Sequence, residues 1–134
     1  MPEREFFVAK LDGEVVGSAQ LVRPPRNNEA QAFAAQLAHA FIAPYARGFG
    51  LARLLVRRVE ERAAAMGIRV INLDVRATQE QAITMFEGLG YTRWGSHPAY
   101  ARVGGQTVAG HFYFRVIEPP HDRSTEAALG TIES

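Results

Sequence analysis

The chain contains no cysteine among its 134 residues. That excludes a disulfide framework, a thiol nucleophile, an acyl-cysteine route and a cysteine-bound zinc site. Lysine is nearly absent too, since Lys10 is the single one among 15 basic residues. Neither sign of charge dominates: 15 basic residues face 14 acidic ones, for a net charge of +1. A bulk electrostatic partner, nucleic acid or anionic membrane, is therefore not expected, and any anion must be held by a local site. The four histidines, His39, His97, His111 and His121, lack the spacing of a ligand pair, so no metal is expected. No apolar run approaches the roughly 18 residues of a spanning helix. The opening MPEREFFVAKLDGE has no signal-peptide pattern. The expectation is a soluble, cytoplasmic protein, and 134 residues suffice for one ordinary core.

What is present reads as alternating strands and helices. Phe6–Leu11 and Val15–Val22 are apolar runs around Asp12-Gly13, a strong hairpin signal because glycine accepts the positive φ of a tight turn. Arg23-Pro24-Pro25-Arg26-Asn27-Asn28 is a loop of breakers. Gln31–Ala43 is ambiguous, alanine-rich like a helix but stopped at Pro44 like a strand. Gly50–Met66 is the clearest helix, with Leu51, Leu54, Leu55, Val59, Ala63 and Met66 on one face and Gly67 as its stop. Ile68–Val75 reads as a buried strand. Thr78 and Gln81 have capping-box spacing before a helix through Ala82, Ile83, Phe86 and Leu89 to Gly90. Tyr91–Trp94 and His111–Ile117 read as strands joined by a loop containing Gly104-Gly105. From Glu118 the chain turns polar and reads as a flexible tail. The order implies an α/β fold with a mixed sheet covered by helices.

Chemistry concentrates at Pro44-Tyr45-Ala46-Arg47-Gly48-Phe49-Gly50-Leu51-Ala52-Arg53. A strand ends, a glycine turn follows, and a long helix begins. The first helical turn has unpartnered N–H groups and the positive end of the macrodipole, and glycines let a phosphate approach that backbone. The segment has neither a Walker Gly-Lys-Ser/Thr nor the third glycine of a dinucleotide fingerprint. On its own it is equally a glycine turn that merely reverses the chain.

Two segments together resemble the GNAT acetyltransferase superfamily. Phe41 to Ala52 is similar to its motif A, Arg/Gln-x-x-Gly-x-Gly/Ala, matched by Arg47, Gly50 and Ala52. Gln79-x-x-Ala82-x-x-x-Phe86-Glu87-x-Leu89-Gly90-Tyr91 resembles its motif B. The likeness extends over residues 6 to 117. Around Leu73-Asp74-Val75-Arg76-Ala77-Thr78 it is closest in style to ribosomal-protein alanine N-acetyltransferases. It implies a mostly antiparallel sheet with a central parallel strand pair that splays apart, covering helices, and Ala35–Ala43 as a strand. The domain would occupy residues 1–117 and the tail residues 118–134.

The resemblance also implies an acyltransferase that moves an acetyl group from acetyl-CoA to a primary amine by direct attack in a ternary complex. Phe41 and Ile42 would hold the pantetheine and thioester through their backbone, with the Ile42 amide at the oxyanion. Arg47, Gly48, Phe49, Gly50, Leu51, Ala52 and Arg53 would hold the pyrophosphate, and Gln79 and Phe86 would border the pantetheine. Phe86 stands where the family's motif B has a tyrosine, and a phenyl ring donates no proton. A thiol with a pKa of about 8.5 can still leave as its anion. The chain opens at what resembles the family's second strand, without the first strand and two helices that usually wall the acceptor pocket. Asp74, at the end of a strand, is the first candidate base and His39 the second; Asp74 has the competing role of pairing with Arg76. Tyr100, His97 and His111 fall in the terminal hairpin that borders the acceptor in this family. The expected partners are acetyl-CoA, an amine of a small molecule or protein, and a second copy in a homodimer. The competing readings are a non-catalytic acyl-CoA-binding module and a fragment that needs a partner domain.

Overall fold

The computed structural model describes residues 3–24, 29–43, 50–119 and 131–133. Strand β1 (Glu3–Leu11) and β2 (Glu14–Arg23) form the expected hairpin. Its turn is made by Asp12 at φ 52° and Gly13 at φ 85°. A 3-10 turn at Glu29–Gln31 precedes β3 (Ala34–Ile42), which resolves the ambiguous stretch as a strand. Alternation overrides alanine's helical preference here: Ala35 and Leu37 are buried while Gln36 between them is exposed. Helix α1 (Leu51–Ala65) and strand β4 (Val70–Arg76) follow. Gly67, at φ 87°, lets the chain leave the helix.

Helix α2 (Glu80–Gly88) starts at Gln79, without a side-chain cap bond. The expected capping box at Thr78 does not form. The Gln79 N–H donates to the Arg76 carbonyl at 3.0 Å, closing a turn that delays the helix by one residue. Strands β5 (Thr92–Val103) and β6 (Gln106–Val116) make a long hairpin around Gly104-Gly105. The expected long loop is therefore mostly strand. Polar residues and register shifts in β5 hide the period-2 pattern from the sequence.

The seven strands lie in the order β5-β6-β4-β3-β2-β1-β7. Among the described residues the β3–β4 pair is parallel and the other strand pairs are antiparallel. The mixed sheet is as the resemblance implied. Strand β7 (Thr131–Glu133) pairs with β1, so three residues of the expected tail belong to the sheet. Among the described residues no helix is long and apolar enough to cross a membrane.

One sheet face carries the core. Phe7, Ala19, Leu21, Leu37, Ile71, Leu73 and Tyr113 meet Leu55, Val56, Val59 and Ala63 of α1 and Phe86 of α2. Buried Glu60 ties the layers together: it accepts from the Tyr91 hydroxyl at 2.7 Å, from Arg57 at 2.7 Å and from Arg115 at 3.1 Å. Burial and the Glu60 carboxylate push the Tyr91 phenol far up. The registers place Phe6, Gln20, Gln36, Asn72, Asp74, Phe112 and Phe114 on the opposite face. That face is open, with Phe6 58% and Trp94 64% exposed.

Candidate functional site

Parallel pairing of β3 with β4 runs only from Ala34–Val70 to Gln36–Asn72, after which the strands part. On the helical side of the gap lies a cavity of about 700 Å³. Phe41, Ile42, Gly50, Leu51, Ala52, Arg53, Gln79 and Phe86 all line it. Eight residues singled out from two separate sequence segments thus share one space. Arg47, Gly48 and Phe49 lie outside the described residues. Neither Asp74 nor His39 lines this cavity.

Local sequence explains each wall. Pairing between β2 and β3 slips between Ser18–Phe41 and Gln20–Ala38, so His39 and Ala40 together oppose Ala19. His39 takes the left-handed φ of 54° in this bulge and is exposed. The bulge re-aims Phe41 and Ile42. Gly17 makes room for them, because a Cβ there would meet Ile42 Cδ1 at 2.4 Å and the Phe41 carbonyl oxygen at 2.8 Å. Gly50 starts α1 at φ 72°, with no side-chain cap bond and no acidic residue in the first turn. A helix start of this kind, with first-turn N–H groups and the positive end of the dipole, is chemically suited to an anion, and the exposed Arg53 lies in the same turn. Leu55, Val56, Met85 and Phe86 make the deeper wall apolar. Phe86 is held edge-on to Tyr91, with ring centroids 5.5 Å apart. An elongated ligand with a phosphate group at one end and an apolar arm fits these walls.

Asp74 lies across the sheet from the cavity, just past the last β3–β4 pair. It does not pair with Arg76: Oδ2 accepts from the Tyr100 hydroxyl at 2.5 Å and Oδ1 from Gln36 Nε2 at 3.3 Å. Burial, with the Asp74 bond behind it, pushes the Tyr100 phenol up to about 12. His97 Nδ1 accepts from the Ala99 N–H at 2.9 Å, and His111 Nδ1 lies 2.7 Å from Ser96 Oγ. Nδ1 of each imidazole is thus engaged within the hairpin.

Sequence reasoning missed Gly17, Gln36 and Gly110. A Cβ on Gly110 would sit 2.2 Å from the Tyr100 ring, so that glycine is what lets the ring lie across β6. The available signal was glycine inside a strand pattern, which marks close approach of another group. Gln36 carried no signal, because its contact is 38 residues away.

The chain is 62% identical over 81 residues to an uncharacterized N-acetyltransferase of the hisH-hisA intergenic region in Azospirillum brasilense; the match covers 60% of this chain and 48% of that one. The chain spans about half the length of the curated relatives it matches. The fold is similar to a ribosomal-protein-alanine N-acetyltransferase from Brucella melitensis, at TM-score 0.73 and 24% identity, covering 82% of this chain and 67% of that one. It is also similar to yncA of Salmonella typhimurium, an acetyltransferase solved with acetyl-CoA, at TM-score 0.76 and 20% identity, covering 86% and 65%. The profile of the acetyltransferase (GNAT) family matches residues 1–91. With that match lying across the splayed strands and the α1 terminus, the chain belongs to the GNAT acetyltransferase family.

Proposed function

We propose that the chain transfers an acetyl group from acetyl-CoA to a primary amine, with the two substrates on opposite faces of the splayed pair. The observation that carries this reading is the single cavity joining the uncapped, glycine-led start of α1 to an apolar wall at the gap between β3 and β4. Acetyl-CoA supplies an activated thioester there. The first-turn N–H groups of α1, with Arg53, hold its pyrophosphate; Gln79 and Phe86 border its pantetheine arm.

The remaining chemistry is proton transfer. An aliphatic ammonium with a pKa of about 10.4 is only about one part in 2,500 neutral at pH 7. Nitrogen also becomes strongly acidic as it bonds to carbon, so a carboxylate nearby collects the proton at that moment. Asp74 is the first candidate for this role, and the hydrogen bonds that orient its oxygens, from Gln36 and Tyr100, support the reading. His39 is the second candidate. Phe86 donates nothing, and the departing thiolate takes its proton from water.

Thermal unfolding with acetyl-CoA at about 100 times its dissociation constant tests the cavity. Binding adds about 2.7 kcal/mol, a rise of several degrees. Gly50→Glu should abolish the shift by putting a carboxylate at the phosphate site. Thiol release with an amine panel then separates an enzyme from a binding module. No shift for the folded wild-type chain would overturn the reading.

A further inference from the structure

Strand β5 departs from regular geometry twice, and both departures serve the open face. Between Arg93–Tyr113 and Gly95–Phe112 the register slips by one residue, leaving Trp94 as the bulge. Between His97–Gly110 and Ala101–Val108 a second slip sets Pro98, Ala99 and Tyr100 against the single residue Ala109. The two ejected rings flank the same partner. Trp94 lies 5.5 Å from Phe112 and Tyr100 lies 5.9 Å from it, centroid to centroid. Phe112 is in turn the cross-strand partner of Asp74. Bulges that re-aim side chains are over-represented beside functional sites.

Charge completes the pattern. Asp74 is hydrogen-bonded to two neutral donors, Gln36 and Tyr100, and among the described residues no guanidinium is in direct ion-pair contact with it. Arg76 follows on the same face of β4, opposite Gly110, and makes no ion pair with it. A carboxylate without a direct ion-pair partner, beside aromatic faces, is complementary to an ammonium, through Coulomb attraction and the ring quadrupoles together. The exposed Trp94 ring, packed on the half-buried Phe112, offers stacking area to a ring carried by the same molecule.

We infer that Asp74, Tyr100, Phe112 and Trp94 form the acceptor subsite and that the acceptor is a primary amine bearing an aromatic ring. Its ammonium meets Asp74 and its ring lies on Phe112 and Trp94. Tyr100 is a positioning residue that fixes the carboxylate. This rests on the acetyl-transfer reading only for the word acceptor; the binding itself stands apart from it.

Trp94 is the single tryptophan of the chain, so its emission reports on this face directly. The test is titration of the full chain at pH 7 with phenethylamine, n-butylamine and phenylacetate, followed by Trp94 fluorescence and calorimetry. Phenethylamine should saturate, with the other two at least tenfold weaker because each lacks one half of the pairing. Asp74→Asn should weaken phenethylamine at least tenfold. Tyr100→Phe, which keeps the ring, should weaken it two- to fivefold and serves if the first variant does not fold. Equal binding of butylamine, no saturable response, or an unchanged affinity in the variants overturns the inference. Acetyl transfer to butylamine without any Trp94 response strikes this inference alone. Phenethylamine binding in a chain that ignores acetyl-CoA strikes the transfer reading alone.

Discussion

The two faces of this sheet are made by alternate residues of the same strands, yet they are built on different rules. Leu73 and Ile71 of β4 point into a closed core, while Asn72 and Asp74 between them point to an open surface. The covered face is held by apolar area: Leu55, Ile71 and Tyr113 are almost fully buried. The open face is held by particular contacts, such as Tyr100 on Gly110 and Gln36 on Asp74. Apolar burial therefore concentrates on one face, and the groups proposed to select a substrate lie on the other.

Substitutions can break that division. Leu55→Ala, on the covered face, should cost about 2–5 kcal/mol in urea unfolding. Phe112→Ala on the open face should cost clearly less, and an equal loss would mean the faces do not differ. Glu60→Ala strips the Tyr91 hydroxyl of its buried partner and should cost about 2–3 kcal/mol. Gly110→Ala sharpens the comparison, because its methyl group collides with the Tyr100 ring and should cost about 1–3 kcal/mol. Removing the ring in Gly110→Ala/Tyr100→Ala should recover part of that loss, a non-additivity measurable by a double-mutant cycle.

The phenol of Tyr100 gives a subtler readout. Its folded pKa of about 12 lies above the unfolded value of about 10. Its contribution to stability is thus complete below pH 10 and is lost as pH rises toward 12. Ultraviolet difference titration should show one phenol ionising earlier in Asp74→Asn than in wild type. The smallest effect is expected at Thr78→Ala, within about 0.5 kcal/mol, since Thr78 caps nothing.

The covered face was legible in the sequence because burial writes a period. The spacing of Leu51, Leu55 and Val59 announced α1, and the β-branched run announced β4. Glycines and motif spacing also pointed to the cavity lining at Gly50 and Phe86. Most of β5 was illegible, because two register slips put Trp94 and Tyr100 out of phase with any alternation. Thr78 misled for a different reason: a backbone bond from Gln79 to Arg76 took the place of its side chain. Long-range pairs such as Gln36 with Asp74 have no local signature at all.

The same slips have a consequence for encounters between molecules. β5 is the outermost described strand on its side of the sheet, and such an edge would ordinarily be a template for another chain's backbone. Pro98 offers no N–H to such a partner, and two bulges interrupt the regular spacing a ladder needs. At the far side, β7 pairs with β1 over Val8, Ala9 and Lys10. The described β5 edge is therefore poorly suited to growing by strand pairing, although the face beside it displays Trp94 to solvent.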